Sequence, residues 1–117
     1  MTAQRALRGE VWLCELEHGR GHEQAGTRPV VVISDDVFGS GPSGMAVVVP
    51  LTRTVRGNWL HVPVAKGDGG VRAASVVRTD QIRSLSRERL LRRWGVLAPT
   101  TMAAVDQRLR DLLDLAA

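Results

Sequence analysis

Gly26-Thr27-Arg28-Pro29-Val30-Val31-Val32, running on through Ile33 to Ser34, is the stretch on which the reading of this chain turns. A glycine-marked turn passes directly into a β-branched run, the composition of a strand. The near-continuous Val/Ile content predicts a strand over residues 29–34 with both faces buried. Pro29 fixes its own φ and disfavours the helical region for Arg28, so the guanidinium leaves a backbone with few alternatives. Arginine is the side chain best shaped to hold a phosphate in two parallel hydrogen bonds. The same arginine also has a plain structural use, capping the strand and pairing with a carboxylate such as Glu23.

Working outward, Met45-Ala46-Val47-Val48-Val49-Pro50-Leu51-Thr52 is a second apolar run, and it ends in a hydroxyl. Two such runs flanked by Gly and Pro predict neighbouring central strands. Antiparallel pairing across the loop 35–44 would set the start of one beside the end of the other. Arg28 and Thr52 then share one edge of the sheet, with Glu23 a few residues upstream, and the three make a candidate phosphate site.

The remaining chain supplies short elements. Residues 10–16 alternate and predict a first strand, with Trp12, Cys14 and Leu16 on one face. The glycine-rich connection 35–44 is expected to be mobile. A strand is expected over 60–64, a turn at Lys66-Gly67-Asp68-Gly69-Gly70, and a fifth strand over 74–79. Residues 84–90 suggest a short helical turn, and 92–97 a last strand carrying Trp94 and Val96. From Pro99 the period becomes helical, with Met102, Val105, Leu109, Leu112 and Ala116 on one stripe and Leu113 beside it. Five or six short strands with one terminal helix predict a mainly β fold: a small, strongly bent barrel sealed at one end by the helix. At 117 residues it is one domain, 1–117, with the first eight residues expected to be flexible. The helix stripe is wider than a barrel end needs, which leaves room for a dimer contact.

Composition narrows the function. No apolar run approaches the roughly 18 residues needed to cross a bilayer, and residues 1–10 lack the apolar stretch of a secretory signal. No membrane role and a cytoplasmic location are expected. A single cysteine excludes an internal disulfide, and Cys14 on an apolar strand face reads as a buried, inert thiol. His18, His22 and His61 lack zinc spacing, so neither a metal nor any other cofactor is expected. Net charge is +4, but residues 53–93 carry ten basic side chains against Asp68, Asp80 and Glu88. Such a regional excess favours a polyanionic partner, although fifteen of the sixteen basic residues are Arg and genome composition alone would enrich that type. Aromatics are too few for a row of stacked bases. Trp12 and Trp94 read as core, leaving Trp59, after Arg56-Gly57-Asn58, as the candidate for stacking on a base.

Taken in order, Gly9-Glu10-Val11-Trp12, His22-Glu23-Gln24-Ala25-Gly26-Thr27-Arg28-Pro29, Val49-Pro50-Leu51-Thr52 and Thr79-Asp80-Gln81-Ile82-Arg83-Ser84-Leu85 resemble the MazF/PemK toxins. The match runs from about residue 8 to the terminal helix. The resemblance implies an SH3-like, CcdB/MazF-type barrel that forms a homodimer and binds single-stranded RNA across the dimer groove. It implies a sequence-specific, metal-independent endoribonuclease, silenced by a cognate antitoxin with an acidic C-terminal segment. By the same resemblance Arg28 and Thr52 are catalytic and Glu23 is an acid/base candidate. The RNA contacts expected with them are His22, Gln24, Arg53, Arg56, Trp59, Gln81 and Arg83. Loops 35–44 and 53–59 depart from the family, where they help select the target bases.

RNA carries its own nucleophile, so such an enzyme needs only proton transfer and charge stabilisation. Arg28 would clamp the non-bridging oxygens and Thr52 would donate a second hydrogen bond. Arginine stays protonated, so Glu23 is the more natural base; His22 reads as loop surface or RNA contact. Two rivals remain: a CcdB-like toxin that poisons DNA gyrase by protein binding, and a nucleic-acid-binding module without catalysis.

Overall fold

A computed structural model of the chain describes residues 4–16, 21, 26–54 and 57–116. Seven strands make one bent antiparallel sheet: β1 (Glu10–Leu16), β2 (Gly26–Val32), β3 (Met45–Thr52), β4 (His61–Val64), β5 (Ser75–Arg78), β6 (Arg83–Ser86) and β7 (Leu90–Val96). The order is β4-β5-β3-β2-β1-β7, with β6 also paired to β3. Its two ends are not hydrogen-bonded to each other, so the barrel-like curl stays open. Two helices complete the fold, α1 (Asp36–Ser40) and α2 (Pro99–Leu113). Neither is long and apolar enough to cross a membrane.

The bend begins in β3. Its first half pairs with β6 through Val48, and its end pairs with β5 from Leu51. Pro50, which has no N–H to donate, falls in the gap between those two pairings. Irregular register between β1 and β7, after Val11 and again after Leu13, adds twist at the other edge. Both faces of the central strands are covered, because alternate residues enter different cores. Val11, Val31, Val49, Leu51 and Val77 meet Val105 and Leu109 of α2 on one side. Trp12, Cys14, Val30, Val32 and Val48 meet Ala6, Leu85 and Leu90 on the other. Val30, Val31 and Val32 are all fully buried, as the β-branched run predicts.

Three expectations are corrected. Of residues 84–90, expected as a helical turn, 84–86 belong to a strand: the free edge of β3 recruits Arg83–Ser86, and only residues 87–89 form a helical turn. The connection 35–44 contains α1, capped by the Asp35 carboxylate at Val37 N (2.9 Å) and held from below by Arg87. Residues 4–8, expected to be flexible, are tied down. Ala6 is fully buried and donates its N–H to Gly39 O at 2.9 Å, while Gln4 Nε2 donates to Leu90 O at 2.9 Å.

Helix α2 starts with Pro99 at its first turn, and Ala98 offers no side-chain cap. The cap comes from elsewhere in the chain. Asp68, on the glycine turn after β4, accepts from Ala98 N at 2.8 Å and from Thr101 Oγ1 at 2.5 Å. A carboxylate there satisfies an orphan donor and complements the helix dipole. That contact fixes the turn, the helix and the mouth of the sheet relative to one another.

Candidate active site

Strands β2 and β3 pair as Val30 with Pro50, Val31 with Val49 and Val32 with Val48. Continuing that register by two residues sets Arg28 opposite Thr52. Both line one pocket of about 220 Å³ at the end of the sheet, together with Thr27, Pro29, Leu51, Arg53, Thr54 and Ser75. Val71, Arg72 and Trp94 line it as well. Arg28 is half-buried, which places its charge at a boundary between apolar wall and solvent. Thr52 is 8% exposed, and its hydroxyl accepts from Thr54 N at 3.2 Å, which fixes the oxygen while leaving its proton available. Arg53 is exposed at the rim. The site therefore offers guanidinium and hydroxyl donors above an apolar floor, the donor set for a phosphodiester.

The other sequence candidates fall in different places. Arg83, on β6 opposite Val48, is half-buried beside the pocket-bearing strands. Its charge reaches Cys14, whose thiol burial pushes up to about 11 while Arg83 and Arg89 pull it back down. The thiol is thus buried and protonated at neutral pH, as its strand position predicts. Gln81 is half-buried on the single helical turn Thr79–Gln81 that follows β5. Trp59 is 61% exposed and does not line the pocket; Arg108 of α2 lies over its ring, 6.0 Å from the centroid. Glu23, His22, Gln24 and Arg56 lie outside the described residues.

Two features escape the sequence. Arg78, the last residue of β5, pairs with Asp80 at 2.9 Å, and His61 of β4 approaches the same carboxylate at 3.8 Å. Arg78 stands two residues beyond Val76, the partner of Thr52, and so projects from the same face of the sheet. The second is the Arg72–Trp94 contact at the pocket wall, where Trp94 is only half-buried although its strand reads as core. Neither Arg72 nor Trp94 stands in a recognisable motif; only the return of distant segments to one mouth makes these two neighbours. Among the described residues no cluster of three or more His, Cys, Asp or Glu is placed to hold a metal ion.

Comparison with known proteins agrees with this fold. The profile of the family described as PemK-like, MazF-like toxin of type II toxin–antitoxin system matches residues 7–113. Endoribonuclease MazF9 of Mycobacterium tuberculosis is 33% identical over 113 residues, covering 92% of this chain and 96% of that protein. Endoribonuclease PemK of Escherichia coli is 36% identical over 110 residues, covering 91% of this chain and 80% of that protein. Among solved structures, an endoribonuclease in complex with its cognate antitoxin from a mycobacterial species superposes with a TM-score of 0.78. It is 26% identical, and the alignment covers 95% of this chain and 97% of that one.

Proposed function

This chain belongs to the family of PemK-like, MazF-like toxins of type II toxin–antitoxin systems, and from that membership we propose how its pocket works. The protein is an endoribonuclease toxin neutralised by an antitoxin. The observation that carries the mechanism is the meeting of Arg28 and Thr52, from adjacent antiparallel strand ends, in one pocket.

A single-stranded RNA lies with its scissile phosphate against these two side chains. The ribose 2′-oxygen attacks phosphorus in line and the P–O5′ bond breaks, giving a 2′,3′-cyclic phosphate and a 5′-OH. The 2′-OH proton passes to a base, for which Glu23 is the candidate, and the departing 5′-oxygen takes up a proton from solvent water, balanced when the base gives its proton back to solvent. Arg28 stabilises the charge that gathers on the non-bridging oxygens, and Thr52 donates a second hydrogen bond to them. The chemistry needs no metal, because the nucleophile belongs to the substrate. The enzyme works as a homodimer in the cytoplasm, with RNA contacts spread over His22, Gln24, Arg53, Arg56, Trp59, Gln81 and Arg83. An acidic C-terminal antitoxin segment that folds on binding would cover the same basic face.

Incubating the purified protein with a long RNA and mapping the new ends tests this. Defined cuts with 5′-OH ends support it. Uncut RNA from a protein that still arrests growth would turn the reading to the gyrase-binding alternative.

A further inference from the structure

Arg72 lies over the Trp94 ring, 5.2 Å from its centroid, and both side chains line the pocket that holds Arg28 and Thr52. Backbone contact sets this placement. A Cβ on Gly70 would stand 2.5 Å from Trp94 O, and one on Gly95 would stand 2.9 Å from the Gly69 carbonyl carbon. Residues 69–70 therefore rest directly on β7 at positions 94–95, and Arg72 follows two residues later. A guanidinium lying against an indole loses rotamer freedom and keeps its N–H donors for another partner. No carboxylate among the described residues pairs with Arg72, which is exposed toward solvent.

Resting on the ribonuclease reading above, we propose that Arg72 binds the phosphodiester next to the one that is cut, so that the pocket grips two successive phosphates of the strand. Arg28 and Thr52 come from β2 and β3, whereas Arg72 arrives from the segment before β5 and lies against β7. Donor groups carried by separate segments of the chain and lining one pocket suit successive anions of one strand. A contact away from the reacting phosphorus is equally strong before and during the reaction, so it affects binding and not the chemical step.

The test uses a short RNA spanning a site mapped with the wild-type protein, and the same RNA with a 2′-deoxyribose at the cut. Arg72→Ala should raise KM about tenfold with kcat within about twofold, and flatten the salt dependence of log kcat/KM by about 0.7, the share of one phosphate on a single strand. Arg72→Lys should keep the salt slope, since the charge stays, while losing part of the affinity that the stack confers. Trp94→Phe should raise KM less than Arg72→Ala. An unchanged KM and slope in Arg72→Ala, or a loss that falls on kcat, overturns the proposal. Binding of the deoxy-substituted RNA, followed by fluorescence anisotropy, separates it from the parent reading. If wild type bound this RNA but never cut its ribose counterpart, the nuclease reading would fail while Arg72 could still be scored by affinity. If wild type cut and Arg28→Ala did not, with Arg72→Ala unaffected in both assays, only the Arg72 assignment would fall.

Discussion

Arg87 Nη2 donates to Gly41 O at 2.7 Å, across a gap of 46 residues. The same guanidinium donates through Nη1 to Met45 O at 3.0 Å and Phe38 O at 3.2 Å, and the residue is 5% exposed. A buried charge has thus been spent on backbone carbonyls, and it turns a glycine-rich connection into a fixed platform for α1. Arg87→Ala should cost about 3 kcal/mol, the sum of lost charge-assisted bonds and stranded carbonyls. Urea denaturation reads this directly. A loss under about 0.5 kcal/mol would mean that the clamp contributes little.

Arg28→Ala should lower kcat on a mapped RNA site by a factor on the order of 10²–10³ and leave the circular dichroism spectrum and association state unchanged. Thr52→Val, which keeps the shape and removes the hydroxyl, should cost about tenfold. EDTA should leave the wild-type rate intact. Undiminished cutting by Arg28→Ala, or a rate that EDTA abolishes and a divalent cation restores, would sink the mechanism.

Asp68 caps a helix that begins 31 residues further along the chain, accepting from Ala98 N and Thr101 Oγ1. Asp68→Ala should destabilise the protein by about 1–2 kcal/mol. Asp68→Asn retains an acceptor and should recover about half of that loss. Equal losses in the two variants would show that cap geometry is not the cause.

The Cys14 thiol is fully buried and its pKa is raised by that burial from 9.0 to about 11. Because the folded value exceeds the unfolded one, the associated stability is complete below pH 9 and fades as pH rises toward 11. The wild-type urea midpoint should therefore fall over that window relative to Cys14→Ala. At pH 8 an aromatic disulfide reagent should label Cys14 only after denaturant is added. Rapid labelling of the native protein would contradict the burial.

Two glycines with similar backbone angles should respond differently to alanine. Gly44 has φ +71 and open space around its missing Cβ, so Gly44→Ala should cost about 1 kcal/mol of left-handed strain. Gly70 has φ +81 and its Cβ would meet Trp94 O, so Gly70→Ala should cost about 3 kcal/mol or more and displace Arg72 from Trp94. Thermal melts with tryptophan fluorescence follow both effects. Equal costs would show that the close approach of the turn to β7 is unimportant.

Local pattern was enough for β1 and β3, which match their expected bounds, and for the start of α2 at Pro99. It was also enough for the shared edge of Arg28 and Thr52, since one antiparallel connection between two β-branched runs determines who faces whom. Residues 83–86 defeated the same approach. Arg83-Ser84-Leu85-Ser86 has a single large apolar side chain, and its strand state comes from the unpaired edge of β3 rather than from any period of its own.

What the amino-acid order determined alone, then, is wherever a residue's state depends on near neighbours: strand runs, the proline-started helix, the inert thiol, the family. What tertiary structure decided is everything with a distant partner: Asp68 on α2, Arg87 beneath 38–45, and Arg72 over Trp94. The physical reason is range. Backbone preference and hydrophobic periodicity act over a few residues, whereas the Asp68 cap, the Arg87 clamp and the Arg72–Trp94 stack require a sheet curled so that distant segments meet.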